Sequence, residues 1–379
     1  MLCLKRGNMK RVPLEKHSKS HSLTQHRDQA WPLPYERVHA ASQILRLFFV
    51  VLVTVLLTLA IRIHPAHANE DDRFSAFVQS LWPQAHARGV SRRTFDAAFK
   101  GITPDPAVIA LTKKQAEFVK PIGDYLASAV SQKRIDKGQA VAREWKALLE
   151  KSEQRFGVDC YIVLAVWGME TNFGGFTGEK STIRSLATLA FARYRGDYFK
   201  QELLTALEIL EHGDVAPKDM QGSWAGAMGQ TQFMPSSYKR YAVDFDGDGR
   251  RDIWNTIPDA LGSTANYLRR HGWIEGETWG YEIVLPRSLQ AQSSTQMRPF
   301  RQWAAEGIKR ADGESMPATG EASLLLPAGR DGPAFLVTRN FKVIKSYNNS
   351  TSYALGVALL SDRIAGWGPL RASWPVAER

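Results

Sequence analysis

Hydrophobic residues recur at three- and four-residue spacing along most of the chain after Asn69, a period typical of amphipathic helices. One short helix is bracketed by Ser91 as its cap and Gly101 as its stop. Helices are accordingly predicted over residues 74–89, 91–101, 113–156, 159–169, 181–194, 197–211, 258–271 and 353–365.

The spacing of the hydrophobic residues changes between residues 279 and 345. Strand-like segments such as YEIVLP and FLVTRNF alternate there with turns rich in proline and glycine, which predicts a small β-containing insertion. The fold class is therefore predicted as mainly α, with an α+β organisation.

An uninterrupted apolar run, LFFVVLVTVLLTLAI over 47–61, lies between two arginines and is followed by Ala66-His67-Ala68. The run is shorter than the roughly 20 residues that a spanning helix needs, and small residues at 66 and 68 suit a signal peptidase. This pattern predicts an exported protein cleaved after Ala68. The alternative is an uncleaved inner-membrane signal anchor.

The composition and net charge of the chain narrow the classes of molecule that it could bind. The 379 residues are 44% hydrophobic and carry a net charge of +11, but residues 1–68 alone hold ten Lys/Arg and three Asp/Glu. The remaining 311 residues are only +4, which argues against a nucleic-acid partner. Cys160 is the single cysteine after residue 68, and three scattered histidines there form no zinc-type pattern.

The segment VDCYIVLAVWGMETNFG, residues 158–174, places one carboxylate at the end of an apolar helix. Asp159 is positioned to cap the helix, and Glu170 falls near its C-terminus. Burial, the helix dipole and the absence of a neighbouring cation in the segment favour the protonated acid, as general-acid catalysis on a glycosidic oxygen requires. The alternative is a surface glutamate at a frayed helix end.

The segment SWAGAMGQTQFMPSSY, residues 223–238, combines small residues with neutral hydrogen-bonding groups and aromatic rings. Such residues suit a saccharide, because they permit close approach and offer uncharged donors and acceptors. A loop packed for purely structural reasons is the alternative.

The segment DFDGDGRRD, residues 244–252, matches the opening of an EF-hand calcium loop, with alternating carboxylates and Gly249 at the sixth position. The twelfth position is Asn255 instead of a bidentate glutamate, and Asp259 at the start of the next helix is placed to complete the shell. A merely acidic turn is the alternative to a structural cation site.

The three segments in this order resemble the B-type family of lytic murein transglycosylases, over about residues 74–364. The resemblance implies a lysozyme-like α core flanked by a helical N-terminal domain and a small β-rich part. The implied division is an N-terminal extension with signal peptide (1–68), a helical domain (69–156), the catalytic core with the EF-hand-like loop (157–275), the β-containing region (276–345), and a last core helix with its tail (346–379).

The same resemblance implies roles for individual residues. Glu170 would be the single catalytic acid and base. The implied saccharide-binding residues are Ser223, Gln232, Tyr267 and Asn348, with Tyr198, Tyr347 and Tyr353 as further cleft candidates. The implied calcium ligands are Asp244, Asp246, Asp248, the Arg250 backbone carbonyl and Asp259, although family loops vary at Asp246 and an extra residue precedes Asp259.

The chemistry implied needs only one carboxylate. The N-acetyl carbonyl of N-acetylmuramic acid can replace the second group that ordinary glycosidases use. Glu170 would protonate the leaving oxygen of the β-1,4 bond and then take the proton of the C6 hydroxyl as that oxygen attacks C1, which yields a 1,6-anhydromuramic end. No cofactor is expected for chemistry.

The partners expected are peptidoglycan glycan strands, for a periplasmic, monomeric enzyme that could also meet cell-wall synthesis complexes. Two alternatives stay open at this point. One is a muramidase that uses water on the same bond, and the other is a non-catalytic peptidoglycan-binding protein.

Overall fold

The computed structural model describes residues 65–114, 120–290 and 292–375. The first part is helical, as predicted. Its helices are α1 Pro65–Ser80, α2 Trp82–Ala87, α3 Arg92–Phe99, α4 Pro106–Lys114, α5 Ile122–Ala129, α6 Gln132–Glu144 and α7 Lys146–Phe156.

The predicted helix over 113–156 is in fact divided. α5 starts after Pro121, which supplies no N–H to a preceding turn, and α6 starts after Ser131, whose backbone is extended. Trp145 separates α6 from α7 with a φ of −102° and a ψ of 20°. Hydrophobic spacing alone did not predict these breaks, because the apolar period continues across them.

The core that follows is built from helices packed around an apolar centre. These helices are α8 Cys160–Thr171, α9 Thr182–Phe191, α10 Tyr198–His212, α11 Pro235–Tyr241, α12 Ile257–Arg270, α14 Arg339–Tyr347 and α15 Thr351–Ala365. Residues 162–168 of α8 are all buried, as are residues 353–361 of α15. A helix that is apolar on every side belongs in a protein interior, and these two helices pack against each other.

The predicted β-containing region is a small antiparallel sheet with one helix. Its elements are β3 Gly280–Val284, β4 Arg298–Pro299, α13 Phe300–Ala305, β5 Lys309–Arg310, β6 Glu321–Leu325 and β7 Ala334–Val337. The five strands pair in the order β4-β6-β7-β3-β5. The region has a small apolar core of its own, which includes Ile283, Trp303 and Leu336. Two further short strands, β1 Lys180–Ser181 and β2 Gln221–Gly222, pair with each other elsewhere.

The segment FLVTRNF was predicted as strand-like, and only its first half is a strand. β7 ends at Val337, and the Thr338 side chain accepts a hydrogen bond from the Asn340 N–H to begin α14. The mainly α, α+β prediction is confirmed. The described residues from His67 onward pack as one compact unit, and the finer division into domains stays a prediction.

The apolar run over 47–61 lies outside the described residues. Within the part of the chain that the structure describes, no helix has both the length and the apolar character needed to cross a bilayer.

The turn after α8 folds back onto the helix. Phe173 has a φ of 58°, and its ring lies against Gly168 so closely that a Cβ at position 168 would approach the ring to 2.6 Å. Only a glycine therefore permits this packing, which fixes the turn directly beyond Glu170.

Gly168→Ala is expected to lower the free energy of unfolding by about 1–3 kcal/mol, because the added methyl must displace the Phe173 ring. Urea denaturation followed by circular dichroism measures the change. Gly368→Ala is the matched control, since a Cβ at that position meets no atom within 4 Å. Equal midpoints for the two variants would contradict the argument.

Candidate active site

Glu170 is the penultimate residue of α8, as predicted. Asp159 caps the start of the helix by accepting a hydrogen bond from the Tyr161 N–H at 2.7 Å. Asn172 ends the helix in the left-handed region, with a φ of 51°. The half-buried carboxyl of Glu170 is thus held at the negative end of the helix dipole.

The environment of Glu170 favours its neutral form. Burial raises the pKa of Glu170 to about 7, and the opposing influence is a hydrogen bond from the Tyr353 hydroxyl to Glu170 Oε1 at 2.6 Å, which lowers the pKa. A carboxyl with this pKa is protonated in a large fraction of molecules at neutral pH. It can therefore serve as a general acid and, once ionised, as a general base.

Three tyrosines surround the acid. Burial and then the charge of Glu170 raise the pKa of Tyr125, Tyr347 and Tyr353, so each phenol stays neutral. The Tyr347 hydroxyl donates to the Thr231 carbonyl at 2.7 Å. The site is consequently a group of uncharged hydroxyls around one carboxyl.

Tyr125 was not predicted from the sequence. It lies on α5, inside the helical stretch that carries no local motif, and its ring approaches α15 at Gly356, where a Cβ would be 3.5 Å from Tyr125 Cε1. Only the packing of α5 on α15 brings this residue to the acid, so no local pattern in the sequence could have identified it.

Tyr267 belongs to an aromatic cluster beside Tyr347. Its ring stacks on His271 at 4.0 Å and lies 4.7 Å from the Tyr347 ring and 5.5 Å from the Phe233 ring. Its hydroxyl donates to the Ser346 carbonyl at 2.6 Å. Tyr267 is therefore connected to the site through its packing against Tyr347.

The loop that contains Ser223 and Gln232 is held by its own polar side chains. The Ser223 Oγ accepts from the N–H groups of Ala225 and Ala227 at 3.3 and 3.1 Å. Gln232, with a φ of 51°, donates from Nε2 to the carbonyls of Thr177 and Gly229, both at 2.9 Å. Both side chains thus position backbone near the turn that follows Glu170.

Gln230, which sequence reasoning passed over, connects this loop to α8. Its side-chain oxygen accepts from the Trp167 indole N–H at 3.0 Å, and its carbonyl accepts from the Thr171 hydroxyl at 3.3 Å. The side chain is buried, so these bonds hold the loop against the helix that carries Glu170.

Two of the predicted saccharide-binding residues lie apart from the group around Glu170. Asn348 is exposed at the C-terminal end of α14, where its carbonyl accepts from the Ser350 N–H at 2.7 Å. Tyr198 is 42% exposed at the start of α10 and packs edge-on against Phe199. Among the contacts of the described residues, none joins Tyr198 to Glu170.

The acidic loop gathers three of the predicted cation ligands. Asp244, Asp246 and Asp259 have carboxylate oxygens within 4.8 Å of one another. Asp259 is fully buried and accepts from the N–H groups of Phe245 and Asp252, both at 2.7 Å. This carboxylate thereby ties the loop to the start of α12.

The remaining loop residues have other partners. The exposed Asp248 accepts from the Arg250 N–H at 2.8 Å and lies 3.4 Å from its guanidinium. Asn255, at the twelfth loop position, donates its side-chain amide to Asp252. Carboxylate oxygens are the ligands that Ca²⁺ prefers, so the Asp244–Asp246–Asp259 group fits a hard cation, while Asn255 is committed elsewhere.

Comparisons with known proteins identify the family of this chain. Residues 73–362 match the family model described as the transglycosylase SLT domain. The chain is 35% identical over 249 residues to membrane-bound lytic murein transglycosylase B of Escherichia coli (strain K12), an alignment that covers 64% of this chain and 66% of that relative, slightly under two thirds of its length.

Solved structures give the same result. SltB3 from Pseudomonas aeruginosa, crystallised with NAG-anhNAM-pentapeptide, is 46% identical, with a TM-score of 0.78 over 80% of this chain and 83% of that one. Escherichia coli Slt35 in complex with calcium is 30% identical, with a TM-score of 0.66 over 78% of this chain and 93% of that one. The fold is therefore of the lysozyme-like α+β type found in these enzymes, and the chain belongs to the transglycosylase SLT family.

Proposed function

We propose that this protein is a lytic transglycosylase that cleaves the β-1,4 bond between N-acetylmuramic acid and N-acetylglucosamine in peptidoglycan and leaves 1,6-anhydromuramic ends. The observation that carries the proposal is Glu170, a residue at a helix end whose carboxyl has a pKa raised by burial to about 7. The complexes of Pseudomonas aeruginosa SltB3 with NAG-anhNAM-pentapeptide and NAG-NAM-pentapeptide support the choice of substrate class.

The reaction uses one carboxyl twice. Protonated Glu170 donates to the leaving glycosidic oxygen, and the C1–O bond breaks while the substrate's N-acetyl carbonyl stabilises the positive C1. The Glu170 carboxylate then accepts the proton of the C6 hydroxyl as that oxygen bonds to C1. Because the nucleophile is part of the same sugar, its effective concentration can reach on the order of 10⁵ M, well above that of water.

The neutral groups around Glu170 suit these two successive proton transfers. A second charged carboxylate beside Glu170 would shift its pKa further, whereas the influences on its pKa here are burial and the Tyr353 hydroxyl. Tyr353 stabilises the carboxylate formed after the first proton transfer, because its hydroxyl donates a hydrogen bond that favours the ionised form. Tyr125 and Tyr347 add two further neutral hydroxyls near the acid, whose pKa values are raised by burial and by the charge of Glu170.

The saccharide would be positioned by the residues on either side of this group. We assign substrate binding to the segments of Ser223 and Gln232, to Asn348 at the exposed end of α14, and to the Tyr267–Tyr347 ring pair. Tyr198 remains a cleft candidate for a more distant sugar, because it is exposed and carries an aromatic face.

We also infer a structural calcium ion in the acidic loop, held by Asp244, Asp246, Asp248, the Arg250 carbonyl and Asp259. The clustered carboxylates and the calcium complex of the Escherichia coli relative support it. The ion would stabilise the loop and the start of α12 and would supply no group to the reaction.

Export to the periplasm is part of the proposal. It rests on the signal-peptide pattern over 47–61 and on the substrate, which lies outside the cytoplasm. The protein would act there as a monomer on glycan strands, where it can also meet cell-wall synthesis complexes.

Glu170→Gln is expected to lower turnover of purified peptidoglycan by about 10² or more, because the amide can neither donate nor accept the proton that catalysis requires. Mass spectrometry of the digest identifies the products. Glu179→Gln, at an exposed glutamate on the following loop, is the matched control. Wild-type products heavier by one water would indicate a muramidase, and undiminished turnover by the Glu170→Gln variant would remove Glu170 from the reaction.

Tyr353→Phe is expected to move the alkaline limb of the pH–rate profile upward. The Tyr353 hydrogen bond lowers the pKa of Glu170, so its loss raises that pKa above about 7 and keeps the acid protonated to higher pH. The rate at the optimum should fall by roughly three- to tenfold, the equivalent of one hydrogen bond. Tyr194→Phe, at a half-buried tyrosine in the turn before α10, serves as the control, and an unmoved alkaline limb would contradict the assignment.

Calcium removal is expected to lower the melting temperature. A ligand at a hundredfold excess over its Kd stabilises the folded state by about 2.7 kcal/mol. Differential scanning calorimetry in calcium and in chelator measures the shift. Asp246→Asn should abolish the difference, and identical transitions for the wild type in both buffers would exclude the ion.

A further inference from the structure

A large cavity in the described part of the chain lies away from Glu170. It has a volume of about 730 Å³ and is formed by α5, α6, the C-terminal end of α15, β3 and residues 367–374 that follow α15. Its size matches the range of small-molecule sites. No saccharide-binding residue assigned above lines it.

The cavity and Glu170 lie at opposite ends of the α8–α15 pair. Tyr353, near the start of α15, bonds to Glu170, whereas Asp362, nine residues later, lines the cavity. The two helices pack against each other, and Glu170 near the C-terminal end of α8 meets the first turns of α15, so the end of α15 that carries Asp362 lies away from the acid. Nine residues of helix correspond to about 14 Å. The cavity is therefore separate from the catalytic acid and near enough for one polymer to reach both.

Aromatic side chains form much of its wall. Trp279 is buried and donates its indole N–H to Asp362 at 3.1 Å, and Tyr281 and Trp374 are half-buried. Trp367 is 66% exposed although it borders a concave surface. An exposed ring at the border of a concave surface offers a flat apolar face to a ligand bound there.

The placement of Trp367 is fixed by the backbone. Gly366 ends α15 with a φ of 97°, and the Trp367 N–H then donates to the Asp362 carbonyl at 2.9 Å. Further along, the N–H groups of Arg371 and Ala372 donate to the Glu282 carboxylate at 2.9 and 2.8 Å. The wall made by this segment is thus attached to both α15 and β3.

The charges that line the cavity nearly balance, with one carboxyl, Asp362, partly protonated at neutral pH because burial raises its pKa to about 7. Three arginines, Arg310, Arg363 and Arg371, accompany Glu282, Asp312 and Asp362. Arg310 pairs with Asp312, and Glu282 is used by the backbone of the segment after α15. A nearly balanced lining does not select a strongly charged ligand, and its mixture of donors and acceptors suits hydroxyl and amide groups, which can both donate and accept.

We propose that this cavity is a second saccharide site, which holds N-acetylated glycan on the Trp367 ring while another part of the same strand occupies the Glu170 cleft. The inference deepens the proposed function and rests on it. An aromatic face covers the apolar face of a sugar ring, and the neighbouring polar groups bind its hydroxyls. Such a site would keep a long strand on the enzyme between cuts.

The test uses the full chain carrying Glu170→Gln, so that turnover is slowed about 10²-fold or more, and a β-1,4-linked N-acetylglucosamine tetrasaccharide as the probe. Equilibrium dialysis at saturating probe should give two molecules bound per chain. With Trp367→Ala added, the second should weaken by roughly tenfold or more, because loss of an aromatic anchor removes most of its contact energy.

Two variants control for indirect effects. Trp367→Tyr keeps an aromatic face and should retain two bound molecules, while Val284→Ala removes an exposed apolar side chain of β3 that does not line the cavity and should also retain two. Circular dichroism checks that each variant is folded.

The proposal is overturned if the chain with an unmodified Trp367 binds only one tetrasaccharide. It is also overturned if two are bound and Trp367→Ala leaves both unchanged. Binding of a stem tripeptide at this cavity without binding of the tetrasaccharide also overturns it. These outcomes are distinct from failure of the proposed function, because that is measured by the products of the wild-type enzyme on peptidoglycan.

Discussion

The pKa of Glu170 depends on burial and on one hydrogen bond between two helices, from the Tyr353 hydroxyl to Glu170. Burial alone would raise the pKa of the carboxyl, and a nearby cation would lower it to the point where no proton remained to donate. The hydrogen bond from a neutral phenol lowers the pKa of the carboxyl, but by less than a cation would. It leaves the pKa at about 7, where the same group can give a proton in one step and accept one in the next.

That bond requires α8 and α15 to approach closely, and small residues make this possible. At Gly356 on α15 a Cβ would come within 2.9 Å of the Met169 methyl of α8, while Gly168 leaves room for the Phe173 ring in the turn that follows Glu170. Because both glycines sit inside helices, where glycine is unfavourable by about 1 kcal/mol relative to alanine, their cost is offset by the placement of the acid. Glycine at these two positions therefore serves both the packing of the helices and the placement of the acid.

The sequence predicted those parts of the site that local pattern determines. Asp159, the apolar face and Glu170 all lie on one helix, so capping and spacing sufficed. Tyr125 comes from a helix 45 positions earlier, and only tertiary packing brings it to the acid. The breaks around α5 and α6 were missed for a related reason, since the hydrophobic period continues through a turn when both neighbouring helices bury the same kind of face.

The acidic loop is connected to the helix of Glu170 by a series of hydrogen bonds, and its charge is not among the influences on the pKa of Glu170. Asp252 and Asp259 hold the loop to α12, and the Ile253 carbonyl accepts from the Gln230 N–H at 2.8 Å. Gln230 in turn binds Trp167 on the helix that carries Glu170. A cation in the loop would thus hold one end of a continuous series of bonds whose other end is the helix that carries Glu170. Its loss should loosen the position of Glu170 without removing any atom that takes part in the reaction.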